Sequence, residues 1–100
     1  MSTVDTSDLK TELNLETARI SWRELERFFA NGSALAVSPG LDLLDVATAM
    51  AQDRAQEVND WLESGQLGPV SDDQALSWHQ DDTELWALVI KPWVLVQESR

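Results

Sequence analysis

The chain has 100 residues and a formal charge of −11, from eighteen Asp and Glu against seven Lys and Arg. Such a surface repels phosphate backbones and anionic lipid headgroups, so direct nucleic-acid binding and membrane adsorption are disfavoured, and a basic protein or a cation is the compatible partner. There is no cysteine, which excludes disulfides and thiolate chemistry and suits a reducing cytoplasm.

The length predicts one domain over residues 8–98, preceded by a mobile polar tail at 1–7. That start has neither a basic nor an apolar stretch, so no signal peptide is expected, and no apolar run is long enough to span a bilayer. Ser7 is placed to cap a first helix over about 8–19, with Leu9, Leu13 and Ile20 near one face.

A second helix is announced by Ser21 and Glu24 in the S-x-x-E pattern of a capping box, with Ile20 and Leu25 at the hydrophobic-staple positions. Trp22, Leu25, Phe28 and Phe29 give it an apolar face, and Asn31-Gly32 ends it near Ala30. Ala34–Val37 reads as a short strand closed by the turn residues Ser38-Pro39-Gly40.

Asp42 caps a third helix carrying Leu43, Val46, Ala47 and Met50 on one face. A second box-like pair, Asp53 and Gln56, favours breaking residues 42–63 into two helices over one continuous helix, the second ending at Ser64-Gly65. Residues 66–70 can supply only an edge strand or a loop. Ser71 and Gln74 form another capping box, opening a short helix that dissolves into His79–Thr83.

In the stretch Leu85–Gln97 every residue but Lys91 and Gln97 is apolar. Burial of such a run is the main favourable term open to a small domain, which makes it the centre of the core. Pro92 divides it, leaving one bulged strand or two strands with a sharp bend. The expected class is α+β: four or five short helices on a sheet of about three strands, with 85–97 central.

Four features can carry chemistry or recognition. His79, the single histidine, lies near Asp81, Asp82 and Glu84, although no calcium-loop spacing is present. Asp42 and Asp45 could act as a carboxylate pair, but both occupy positions where a cap and a first-turn acid belong. Arg19, Arg23 and Arg27 recur every four residues, with Lys10 in the preceding helix, and form a basic strip that Glu16, Glu24 and Glu26 can neutralise. Five tryptophans (Trp22, Trp61, Trp78, Trp86 and Trp93) are too many to bury entirely in so small a domain. Trp78, on a short helix with polar neighbours, is the first expected to be exposed.

No nucleophile elbow, glycine-rich phosphate loop or zinc-protease motif is present. No catalytic, metal-binding or cofactor-binding residue is therefore assigned, and no cofactor is expected. The reading is a non-enzymatic interaction or regulatory domain that binds another protein or itself. Its expected surface comprises Trp78, His79, Lys91, Trp93, Arg19, Arg23 and Arg27. The alternatives are a small enzyme or metal-binding protein acting through His79 with nearby carboxylates, and an acidic mimic of nucleic acid.

The segments Ile20–Phe29, Leu41–Ala47, Trp61–Gly65 and Leu85–Glu98 together resemble a family of small acidic bacterial proteins whose function is unknown. The run Pro92-Trp93-Val94-Leu95-Val96-Gln97-Glu98 is the most specific part of that likeness. The resemblance spans residues 9–98 and implies a bacterial, cytoplasmic, single-domain protein. It transfers no catalytic or binding residue.

Overall fold

The computed structural model describes residues 17–98. The expected tail and most of the expected first helix lie outside them. The described elements run β1 (Ala18–Ser21), α1 (Trp22–Ala30), β2 (Ala34–Val37), α2 (Leu43–Ala51), α3 (Ala55–Ser64), β3 (Leu67–Pro69), α4 (Asp72–Gln80), β4 (Glu84–Ile90) and β5 (Trp93–Glu98). The fold is α+β, with four helices among the described residues and a five-stranded mixed sheet ordered β1-β4-β5-β2-β3. None of these helices is long and apolar enough to cross a membrane.

The sheet has more strands than the expected three, for two reasons. Leu85–Gln97 folds into two antiparallel strands joined at the cis Lys91–Pro92 bond, with Leu88 opposite Leu95 and Ile90 opposite Trp93. Ala18–Ser21, read from sequence as the end of one helix and the staple and cap residues of the next, is an edge strand pairing with β4. Its alternation is visible in the register, where Ala18 faces Ala87, Arg19 faces Trp86 and Ile20 faces Leu85. Four residues are too few for a period of two to stand out against flanking helical spacing.

Both faces of the sheet are covered, which explains why the β4–β5 sequence is nearly continuous in apolar residues. Leu85, Ala87, Val94 and Val96 join Trp22 and Leu25 of α1 and Ala75 and Trp78 of α4 in one core. On the opposite face Leu88, Leu95, Leu35 and Val37 pack with Leu43, Val46 and Ala47 of α2, and Val58 and Trp61 of α3 lean on them. Strand β2 runs parallel to β5, so α2, α3, β3, α4 and β4 all lie between these neighbours in the chain.

The helix boundaries follow local chemistry. Ser71 and Gln74 form a complete capping box, with bonds of 3.1 Å from the Gln74 N–H to the serine hydroxyl and 3.0 Å from the Ser71 N–H to the glutamine carbonyl. Asp42 caps α2 by accepting the Leu44 N–H at 2.8 Å. Ser21 caps α1 through the Arg23 N–H and donates its own hydroxyl to Asp82, so the expected reciprocal bond with Glu24 is replaced by a tie to the turn before β4. Residues 42–63 do form two helices, but not through a capping box. Asp53 takes a left-handed φ of 57°, and α3 begins after Arg54 without a side-chain cap.

Candidate interaction surface

The seven residues expected on one surface separate into three places. Trp78 is buried, which corrects the expectation of an exposed indole. Its side chain is 4% exposed, meets Trp22 edge-on with ring centroids 5.1 Å apart, and donates its indole N–H to Glu98 Oε1 at 3.0 Å. Ala75 and Trp78, three apart on α4, point into the core together, whereas Leu76 stands outward. Helix phase decides this, not the polarity of sequence neighbours.

His79, Arg23 and Arg19 lie where α1 and α4 meet the start of β4. The His79 ring contacts Glu26 Oε2 at 3.0 Å, and Arg23 donates to the His79 carbonyl and pairs with Asp82 at 3.7 Å. Arg19 pairs with Glu84 at 3.6 Å and stacks over Trp86. The expected helical basic strip therefore does not exist, since Arg19 is on a strand and the partners are Asp82 and Glu84. These acids come from beyond α4, a pairing that intrahelical spacing could not reveal. Arg27 lies over the Phe28 ring, further along α1. Of the carboxylates near His79 in sequence, Asp82 and Glu84 are thus turned to arginines, and no group of three His, Asp or Glu that could hold a metal occurs among the described residues.

Lys91 and Trp93 sit at the other end of the sheet, in and after the β4–β5 turn. Here the structure contains an apolar cleft of about 360 Å³ between α3, the end of α2 and the sheet, lined by Leu35, Met50, Val58, Leu62, Leu67 and Trp93. It exists because α3 packs loosely: none of its residues is fully buried, whereas α2 buries Leu43, Val46, Ala47, Thr48 and Ala49. Trp93 and Leu62 remain 37% and 44% exposed at its rim. In sequence, residues 42–66, which include α2 and α3, hold the acids Asp42, Asp45, Asp53, Glu57, Asp60 and Glu63 against the single base Arg54. Sequence reading found Trp93 but missed Leu62, which repeats at helical spacing with Val58 and reads as core.

Comparison with known proteins agrees with this architecture. The family described as "Protein of unknown function (DUF2288)" matches residues 8–98. Among solved structures, the chain is similar to the NMR solution structure of PA1075 from Pseudomonas aeruginosa, with 45% identity and a TM-score of 0.80, covering 100% of this chain and 93% of that one. Comparison with the curated proteins gives no match. With nearly its whole length matched, the chain belongs to the DUF2288 family.

Proposed function

We propose that this protein is a non-enzymatic interaction module whose apolar cleft takes side chains from a basic, amphipathic segment of a partner protein. The observation that carries this is the cleft itself, an apolar cavity with Trp93 and Leu62 half-exposed at its rim. Contiguous apolar surface of this kind, rimmed by polar groups, marks recognition sites, and indoles are the side chains most enriched at interface hot spots. The acidic balance of the α2–α3 segment and the net charge of −11 favour a basic partner. They also disfavour a second copy, because two chains of charge −11 repel. A bacterial cytoplasmic setting is in keeping with the cysteine-free sequence.

The test is an amide and indole NMR titration at low salt with a synthetic Leu/Lys amphipathic peptide, using a Ser/Lys peptide of equal charge as control. Shifts concentrated on Leu35, Met50, Val58, Leu62 and the Trp93 indole, seen with the first peptide only, support the reading. Loss of those shifts in Trp93→Ala, with the melting temperature kept, supports it further. Equal response to both peptides, or a homodimer that already buries Trp93, overturns it.

A further inference from the structure

A second cavity, of about 270 Å³, lies on the other face of the sheet, beyond the carboxyl ends of the parallel pair β2 and β5. Pro39, Gln66, Pro69, Gln74, Trp78 and Glu98 border it, and none of its described lining residues is basic. Glu98 is the one ionisable group among them. Its Oε1 is fixed by the buried Trp78 indole N–H at 3.0 Å, while Oε2 makes no hydrogen bond among the described residues. A carboxylate oriented by a core tryptophan has lost part of its rotamer freedom before any ligand arrives.

We infer that this cavity is a binding site for an alkyl guanidinium, with Glu98 as its counter-ion. Charge sets the sign, since a fixed carboxylate with no base among the described lining residues attracts a cation and rejects an anion. The walls choose between cations. The lining is mixed: Ala36, Pro39 and Pro69 lie beside the hydroxyl of Ser38 and the side-chain amides of Gln66 and Gln74, a set that suits a planar, weakly hydrated guanidinium with several donors more than a compact, strongly hydrated ammonium. The group can come from a free small molecule or from an arginine side chain of a partner. The site is separate from the Trp93 cleft and does not depend on its role.

The experiment follows the Trp78 indole proton, assigned by its loss in Trp78→Phe, during titration with agmatine, N-acetyl-argininamide, butylamine and NaCl at matched ionic strength. The protein also carries Arg100→Gln in a parallel series, so that its own guanidinium near Glu98 in sequence cannot compete. The expected result is a saturable shift with one or both guanidinium probes. Saturation by agmatine alone assigns a free small cation, and saturation by N-acetyl-argininamide assigns a partner side chain. Glu98→Gln keeps an acceptor for the indole and should weaken binding by about tenfold or more, while Trp93→Ala leaves it unchanged. A shift reproduced by NaCl, equalled by butylamine, or unaffected by Glu98→Gln overturns the proposal, as does no shift at all.

Discussion

The side-chain amide of Gln97 donates to the Leu41 carbonyl at 2.6 Å, and the same nitrogen reaches the Ser38 carbonyl at 2.9 Å. One residue near the end of β5 thus holds both ends of the loop that leads from β2 to α2. The contact is part-buried, so neither carbonyl recovers full hydration if the amide is removed. Gln97→Leu, which keeps the approximate size and deletes both donors, should cost about 1–3 kcal/mol. That corresponds to a fall in Tm of about 5–15 °C, readable by circular dichroism or calorimetry. An unchanged Tm would show that water satisfies the two carbonyls.

Trp22 is the deepest aromatic, with 0% exposure, and it packs against Trp78 and Phe29 at centroid distances of 5.1 and 5.8 Å. Its indole N–H is buried and has no hydrogen-bond partner among the described residues. The ring therefore contributes packing while its polar atom is a liability. Trp22→Ala should cost about 3–5 kcal/mol, the range for emptying an aromatic site in a core. Trp22→Phe loses volume but also removes the orphan donor, so its cost should stay below about 2 kcal/mol. Chemical denaturation of both variants separates the two terms. Similar losses in both would mean that the indole nitrogen is satisfied.

The turn flanking α3 at each end offers a paired test of backbone strain. Gly65 closes the helix with φ of 80°, and a methyl group added there would meet nothing within 4 Å. Gly65→Ala should therefore destabilise by about 1–2 kcal/mol through the left-handed conformation alone. Asp53 adopts φ of 57° at the other end, where glycine is less strained. Asp53→Gly should be neutral or stabilising by up to about 1 kcal/mol, despite the greater entropy of glycine in the unfolded chain. A lowered denaturant midpoint for Gly65→Ala, against an unchanged or raised one for Asp53→Gly, is the expected outcome.

These positions also show what was legible in the sequence. Caps and stops were readable where one residue acts through its own backbone neighbours, as at Asp42, Ser71 with Gln74, Asn31-Gly32 and Gly65. The break at Asp53 was placed correctly but for another reason, since its left-handed turn leaves no mark that a capping pattern could detect. Properties set by the tertiary partner were hidden. Arg19 looked like part of a helical strip until β4 supplied Glu84 and Trp86. Trp78 looked exposed until Trp22 and Glu98 were found around it. Trp93 was named as a surface residue, yet the cleft beside it depends on how loosely α3 rests on the sheet. That looseness is a difference in packing between two helices of similar length, and composition does not encode it.

The same looseness makes a dynamic prediction. Helix α2 buries five residues and is capped by Asp42, whereas α3 fully buries none and lacks a side-chain N-cap bond. Local opening takes less free energy where few buried contacts must be broken. Amide hydrogens of Val58–Leu62 should therefore exchange faster than those of Val46–Met50, by about tenfold for each 1.4 kcal/mol of difference in opening free energy. Opening of α3 widens the cleft that Leu62 and Trp93 border, so a ligand seated there should slow exchange in α3 preferentially. If a bound Leu/Lys peptide protects α2 and α3 to the same degree, or protects neither, the cleft is not where the peptide sits. If α3 exchanges as slowly as α2 in the free protein, its contacts with the sheet are stronger than its burial indicates, and the cleft is rigid.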